Sequence, residues 1–484
     1  MTRNLLQLLS REEIETIHAT SIRVLEKIGV NLDNEEALKI LHEAGAVADF
    51  DKASACIPET LVKESLKKAP GKFDLYSVDG RNRLSFGGAN VYFNPGSTAV
   101  YMLDRETMQM RTPLTNDFID FVRLTDALEH IHAQSTAMLV SDVPSAIADR
   151  FRLYIILKNS LKPIVGGSFT IDGLHDMRKM LEIAVEGESN LKQRPPFLMD
   201  VCPSPPLKWS KITSQNLIDT AKCDMPLEII PAPQLGSTAP VTLAGLLVQH
   251  NAEFLSGLVL AQLVKPGIPV MYSGSPSVMD MRHGTQCVGN IEVCMLSVAY
   301  SQIAKFYGLP SGAYLGMSES KTVDAQTGIE SANGIILGTL AGINCITGPG
   351  MLAFENCQSF EKLVIDNEIC GMAMRLAKDI NVSEEALAFD LIKKIGPGGH
   401  FLAQKHTIEW FPVEELISST VIDKTSKPQW ERTGAKNTLD RAREQVNRIL
   451  KDHKPKLLPQ DIEKKLDALM KTIMKRRNRH NTKA

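Results

Sequence analysis

Between residues 133 and 350 the chain repeats one rhythm seven times: a short apolar run ending in small or polar residues, then a helical stretch. The runs are AQSTAMLVSD (133–142), KPIVGGSFT (162–170), PPFLMDVCPSPP (195–206), PLEIIPAPQLGS (226–237), IPVMYSGSPS (268–277), PSGAYLGMSES (310–320) and INCITGPG (343–350). Consecutive strand–helix units imply parallel strands joined by right-handed crossovers. With GGHFLAQKHTIEWF (398–411) as a candidate eighth unit, the pattern predicts an α/β chain folded as a (β/α)8 TIM barrel. A doubly wound open sheet is the alternative. Its nucleotide fingerprints are missing, because neither G-x-G-x-x-G after a first strand nor G-x-x-x-x-G-K-[ST] occurs.

The flanks read differently. Residues 11–29 form an amphipathic helix pattern with a Ser10/Glu13 capping box, and 34–44 and 60–68 read as further helices. Residues 73–112 alternate apolar and polar positions around turns such as Asp79-Gly80, which predicts a small antiparallel patch. The expected organisation is an N-terminal region of helices and antiparallel β over 1–132, a barrel over 133–412, and a helical extension over 413–484.

Composition narrows the class. A formal net charge of −2, 43% hydrophobic and 23% charged residues suit a soluble globular protein. The apolar runs are all interrupted by polar residues, so no membrane partner is expected. The start turns charged within ten residues, unlike a secretion signal, and a cytoplasmic location is expected. Eight cysteines without a C-x-x-C pair read as reduced, buried thiols, and no metal site is expected. Residues 451–484 carry eleven Lys/Arg against four Asp/Glu. A solvated helix with a basic tail explains this more simply than nucleic-acid or membrane binding, and docking to an acidic partner protein is a third use.

In a barrel, the C-terminal strand ends line the site. These ends supply Ser141 and Asp142; Gly167, Ser168 and Phe169; Asp200 and Cys202; Gln234, Gly236 and Ser237; Tyr272, Ser273 and Asp280; and Gly348 and Gly350. The segment YLGMSESKTVDAQTG (314–328) adds Ser318, Glu319, Ser320, Lys321, Asp324 and Gln326. Histidines stand alone, no nucleophile sits in a triad context, and Arg282 and Lys321 are the cations of these loops. Acids, amides, hydroxyls and rings remain, and that set suits a cation or zwitterion held by ring faces and negative charge. The available rings are Tyr92, Phe93, Tyr101, Phe169, Trp209, Tyr272, Tyr314 and Phe354, at least half of which belong to the core on ordinary packing grounds.

Several longer runs carry a resemblance: PQLGSTAPVTLAGLLVQHNAEFLSGLVLAQLVKPGIPVMYSGSPSVMDMRHG (233–284), YLGMSESKTVDAQTGIES (314–331) and FEKLVIDNEI (360–369). Over most of residues 1–410 the chain resembles the trimethylamine methyltransferase family, whose fold is a (β/α)8 barrel. The archetype of that family passes a methyl group from trimethylamine to a separate corrinoid protein. It carries pyrrolysine in the neighbourhood that matches 315–330, whereas this chain holds only ordinary residue types. The resemblance therefore implies the non-pyrrolysine branch, which acts on quaternary amines: glycine betaine, proline betaine, carnitine or γ-butyrobetaine. It implies a cobalamin (corrinoid) carried on a cognate corrinoid protein and none bound tightly to this chain. In keeping with that, the chain lacks the D-x-H-x-x-G pattern of corrinoid carriers.

Under this reading Phe93, Tyr101, Phe169, Tyr272, Tyr314 and Phe354 are candidate ring contacts to the substrate. Glu319, Asp324 and Glu330 are candidates to face the ammonium, and Arg282, Gln326 and Ser237 to bind a carboxylate. Gln234 and Tyr272 are placed best, because a strand end fixes their direction. Each has a structural alternative: Asp324 as a helix N-cap, Arg282 in a surface salt bridge, Glu330 on a helix face. No residue is assigned a catalytic role. A homo-oligomer is expected, formed through apolar helix surfaces and residues 415–484, and no nucleic-acid partner is expected. Within the family a trimethylamine-type methyltransferase is the alternative, and two other classes stay open: a non-catalytic betaine-binding barrel, and a lyase or isomerase using His283, Lys321 or Asp200 as base.

Overall fold

The computed structural model describes residues 5–378, 380–414 and 419–481. Eight short parallel strands organise it: β1 Tyr92–Asn94, β2 Gln134–Ser135, β3 Ile164–Gly167, β4 Phe197–Val201, β5 Leu227–Ile229, β6 Val270–Tyr272, β7 Gly312–Tyr314 and β8 Cys345–Thr347. Seven of them fall inside the seven apolar runs. They form a five-stranded sheet in the order β6-β5-β4-β3-β2 and a three-stranded sheet in the order β7-β8-β1. A parallel bridge between Tyr272 and Ser311 joins β6 to β7. At the other seam, backbone N–H groups of His132 and Ala133 donate to Phe93 O at 2.7 and 3.3 Å. The ladder is thus barrel-like but is not one uninterrupted sheet.

The eighth parallel strand is not at 398–411. That segment has no strand, and Lys405–Glu414 is helical. The missing strand is β1, which pairs in parallel with β8 through Tyr92↔Cys345 and Asn94↔Thr347. It comes from the stretch expected to be purely antiparallel. True antiparallel pairs flank it: Phe73–Tyr76 with Arg83–Phe86, and Tyr101–Leu103 with Met110–Arg111. Alternation alone does not distinguish a hairpin strand from a three-residue strand that pairs with the far end of the chain.

Helices cover the strands from outside. Leu243–Val264 is long and apolar enough to cross a membrane, yet it is a core helix, with His250, Asn251 and Glu253 buried among its neighbours. The N-terminal helix Arg11–Lys27 has the expected Ser10/Glu13 capping box and packs Ile14, Ile17, Ile22 and Leu25 inward. The C-terminal helices also lie on the chain's own body. Ala442 and Val446 of Thr438–Asp452, and Leu466 and Met470 of Gln460–Asn481, join the main core. Of the basic tail, Arg476 pairs with Asp176 at 2.7 Å. Its end, 482–484, and the side chains of 477–481 lie outside the described residues.

One fully buried ion pair ties the last two strands to their helices. Lys362 Nζ donates to Asp366 (2.5 Å), to Ser331 Oγ (2.7 Å) and to Gly316 O just beyond β7 (2.8 Å). Asp366 Oδ2 in turn accepts the Gly350 N–H just beyond β8 at 2.7 Å. Removing one partner strands the other in the core, at a cost of about 3–5 kcal/mol, whereas an apolar pair of similar volume is tolerated far better. Lys362→Met should therefore lower the urea-unfolding free energy by about 3–5 kcal/mol, and Lys362→Met with Asp366→Leu should regain more than half of that loss.

Candidate functional site

A cavity of about 370 Å³ opens where β1, β3, β4, β7 and the segment after β8 end. Its wall includes Ser97 and Thr98 after β1, Ser168 and Phe169 after β3, and Asp200 and Cys202 at the end of β4. Ile230, Ala232 and Ser275 come after β5 and β6, and Tyr314 closes β7. Asn216, Gln286 and Glu355 complete the polar part of the wall.

The register of β4 on β5 creates its electrostatics. Asp200 is the Cα partner of Glu228, so both carboxylates face the same side of neighbouring strands. Glu228 is 1% exposed. It lies against Gly312 of β7, where an added Cβ would sit 2.4 Å from Glu228 Oε1 and 2.7 Å from Ser273 Oγ. Glycine is required there by space. Burial and the neighbouring Glu228 push the Asp200 carboxyl well up, with Arg152 opposing. Burial also pushes Glu228 up, while Ser273 and Asp200 hold it back. Both shifts point the same way, because two neighbouring carboxyl groups this dry resist double ionisation.

Glu355 supplies a third acid. It comes after Ala353 and Phe354 in a run of three left-handed non-glycine residues, with φ of 52°, 59° and 70°. Such backbone is costly and persists where the surroundings enforce it. Here the enforcing contacts come from segment 314–328: Ala353 N donates to Ser320 O at 2.9 Å and Phe354 N to Ser318 O at 3.4 Å. Burial raises Glu355 to about 7.

One cation stands behind the wall. Arg152, fully buried, stacks over the Phe169 ring at 4.5 Å and donates to Thr136 O at 2.6 Å and Thr98 Oγ1 at 3.2 Å. Burial lowers it to about 10 against the pull of Asp149 and Asp200. One face of Phe169 is therefore already occupied by a cation. Cys202 departs from the expectation of buried thiols: it is open to the cavity, whereas Cys223, Cys287, Cys294, Cys345, Cys357 and Cys370 are buried. Deep placement and then Asp200, Glu228 and Glu355 push its thiol up, so it stays protonated.

The trimethylamine methyltransferase (MTTB) family model matches residues 1–480. The chain belongs to that family. It is 32% identical over 456 residues to the trimethylamine methyltransferase MttB of Desulfitobacterium hafniense, covering 94% of this chain and 91% of that one. It is 31% identical over 465 residues to a glycine betaine methyltransferase of the same species, covering 96% of each. Among solved structures, the monomethylamine methyltransferase MtmB of Methanosarcina barkeri superposes with a TM-score of 0.56 at 12% identity, over 93% of this chain and 90% of that one. That likeness concerns the fold alone.

In this family member, Phe169 and Tyr314 are the two residues of the sequence-derived candidate set that line the cavity. Phe93 is buried beside His132. Tyr101 is 44% exposed on its own short strand. Gln234 pairs with Ser277 in a small side sheet. Tyr272 is in the core, stacked on Phe254 at 3.8 Å, with its hydroxyl donating to Asn251 Oδ1 at 3.2 Å. Arg282 is exposed and bridges Asp280 at 2.8 Å. Asp324 caps helix Ala325–Leu340, and Phe354 lies under Lys321 Nζ at 4.1 Å.

Glu319, Glu330 and Gln326 form a knot beside the cavity. Glu319 Oε1 accepts the Val288 and Gly289 N–H groups, and Glu330 accepts from Ser318, from Glu319 N and from Gln326. Segment 314–328 thus braces the loops after β6 and β8, and only its first residue, Tyr314, lines the cavity. Reasoning from strand ends missed Arg152, Glu228, Asn216, Gln286 and Glu355. A glutamate inside the apolar run PLEII and an arginine inside DRFRLYIIL were visible signals for Glu228 and Arg152. Glu355 has no such signal, because its position depends on a turn.

Tyr272→Phe should cost about 1–3 kcal/mol in chemical denaturation, since Asn251 loses a buried partner, and should leave ligand affinity unchanged in calorimetry. For Glu355, the sign is set by its raised value: below about 7 the carboxyl is neutral, above it charged. Tetramethylammonium should therefore bind more tightly as pH rises, by up to about tenfold per unit below that value. Glu355→Gln should flatten the profile.

Proposed function

We propose that the chain transfers a methyl group from a quaternary amine to the Co(I) of a corrinoid held by a separate protein. The observation that carries this reading is the meeting of Asp200 and Glu355 with the rings of Tyr314 and Phe169 at one cavity, with the buried Glu228 beside Asp200 on the neighbouring strand. A quaternary ammonium offers no strong hydrogen-bond donor, so charge and ring faces are what can hold it. Asp200, Glu228 and Glu355 supply the charge, and Tyr314 and the free side of Phe169 supply the faces. Arg152 favours a zwitterion over a bare cation, because its field suits a carboxylate at the Phe169 end while the acids hold the ammonium. Glycine betaine is the simplest such substrate, and one relative's name points the same way.

We also read the eight strands as one functional (β/α)8 barrel, with its mouth at the strand C-termini. Large apolar side chains stand exposed on segments beyond the strands: Tyr101 44%, Phe169 39%, Ile212 41%, Val241 68%, Met281 67% and Ile291 50%. A corrin ring delivered by a partner has a flat apolar edge, and these are the residues that would receive it. The bound corrinoid supplies the nucleophile for in-line displacement at a methyl carbon. The chain's own residues hold the ammonium, aim one methyl outward and exclude water. Nitrogen loses its charge as the methyl leaves, so the burial that raises the Asp200 and Glu228 carboxyl groups limits ground-state over-stabilisation.

The test is anaerobic and spectroscopic. Protein, cob(I)alamin and one amine at a time should show decay of the Co(I) band with glycine betaine or another quaternary betaine. Asp200→Asn and Glu355→Gln should each lower kcat/KM by about 10- to 100-fold, equivalent to roughly 1.4–2.7 kcal/mol. Decay with trimethylamine alone would overturn the quaternary-amine assignment. Betaine binding without decay would make the protein a binding barrel.

A further inference from the structure

The first turn of the helix Ala148–Asn159 holds the cavity residue Phe169 by both its ring and its backbone. Arg152 stacks on the ring at 4.5 Å. Asp149 grips the backbone. Its Oδ2 accepts the Phe169 N–H at 3.0 Å, and accepts from Ser168 Oγ at 2.9 Å and Thr170 Oγ1 at 3.2 Å. Asp149 is buried, and Gly173 leaves the space this junction needs, since an added Cβ would stand 2.2 Å from Asp149 Oδ2. Asn216, on the helix Lys211–Lys222, steadies the same loop by donating to Ser168 O at 3.0 Å.

Asp149 is itself held by a relay of ion pairs that ends at the surface. Its Oδ1 accepts from Arg150 Nη1 at 3.1 Å, and Arg150 Nε donates to Asp176 Oδ2 at 2.9 Å. Arg476 Nη2 then donates to Asp176 Oδ1 at 2.7 Å. Asp149, Arg150 and Asp176 are all buried, and in this trio two acids face one guanidinium. Arg476, half-exposed on the C-terminal helix Gln460–Asn481, evens the balance. That helix has other anchors with which to dock. Leu466, Met470 and Ile473 are buried against the body, and Asp467 accepts from the Tyr154 hydroxyl at 2.7 Å and from Lys158 Nζ at 2.8 Å. The Arg476 pair thus stands at the far end of a relay whose near end is a loop of the cavity wall.

We propose that Asp149 is a positioning residue for Phe169, and that Arg476 acts through Asp176 and Arg150 to fix its hold. With Arg476 in place, Asp149 and Asp176 each have a guanidinium partner, and the loop 168–170 stays against the cavity wall. Without it, Arg150 alone must serve both acids, its bond to Asp149 weakens, and the loop loosens. The C-terminal helix, some 300 residues from Phe169 in sequence, thereby tunes how firmly a ligand is gripped. The consequence for affinity rests on the proposed role of Phe169 as a ring face for the ammonium. The hold on the loop does not.

Two readouts on the full chain test this. Amide exchange followed by mass spectrometry reports on the loop without any ligand. Arg476→Ala should speed exchange over 168–170 by about tenfold and leave β4 unchanged, while Arg476→Lys should restore about half or more of the protection. The second readout is a double-mutant cycle on kcat and KM with cob(I)alamin and glycine betaine. Arg476→Ala should raise KM by about three- to tenfold with kcat held within about twofold. It should have no further effect once Phe169→Leu has removed the ring, because the two changes then act on one contact. Asp149→Asn should shift both readouts in the same direction as Arg476→Ala. Unchanged exchange over 168–170 in Arg476→Ala would overturn the proposal, and so would an equal rise over β4. A KM effect of the same size in the Phe169→Leu background would also overturn it, marking Arg476 as a general structural contact. If the wild type turns over no quaternary amine, the substrate assignment fails, and the exchange readout alone still supports or overturns the relay.

Discussion

The buried Lys362–Asp366 pair is the constraint on which the working end of the molecule depends. Both side chains are fully enclosed, and each spends its polar atoms on the chain just past a strand: Lys362 on Gly316, Asp366 on Gly350. The strands themselves are three residues long and form few ladder bonds. Pairing alone gives so short a strand little hold on the loop beyond it. The ion pair supplies that hold by locking the exits of β7 and β8 to the helices Ala325–Leu340 and Phe360–Leu376. Burial pushes the Asp366 carboxyl up and Lys362 opposes it, so the pair would be costly to leave half-made. Gly348 lets the two exits approach: it has φ 152°, and an added Cβ would stand 2.1 Å from Leu315 O.

From those locked exits the cavity is assembled in two steps. The polar knot of Ser318, Glu319, Gln326 and Glu330 fixes segment 314–328 against the loop at 288–289. That segment then bonds to Ala353 and Phe354 and holds the left-handed turn that swings Glu355 into the wall. The strain sits in a turn that carries a cavity carboxylate, where strained backbone often has a functional reason. The acidic and amide residues of 314–328 thus act at one remove from the ligand: they position a carboxylate that lies outside that segment.

Dependence on distant bracing separates the parts that were legible in the sequence from those that were not. Seven strands could be read because each is an apolar run closed by small or polar residues, and parallel strands buried on both faces have that signature. β1 could not, because its partner β8 lies some 250 residues away and its own surroundings read as hairpins. Asp200, Phe169 and Tyr314 were visible because a strand end fixes their direction. Tyr272 also sits at a strand end, but it points to the helix layer and stacks on Phe254, and sequence does not reveal which side a short strand's last residue takes. Gln234 fell into a side sheet for a related reason: the run 226–237 holds two strands, Leu227–Ile229 and Gln234–Leu235, separated by a bend. Glu355 depends on tertiary bracing, which no local pattern encodes.

The arrangement of charge carries the chemistry one step further. A site for methyl removal from an ammonium must attract a cation yet release a neutral amine. Three ionised carboxylates would bind the cation strongly and hold back the step that discharges it. Burial prevents that extreme: Asp200 and Glu228 both titrate high, and Arg152 behind Phe169 offsets part of what remains. The same dryness that raises these carboxyl groups keeps the Cys202 thiol protonated, so the one cysteine open to the cavity does not compete as a nucleophile. Partial neutralisation of an acidic wall, achieved by desolvation and a single stacked guanidinium, is how this cavity reconciles capture of a cation with its discharge.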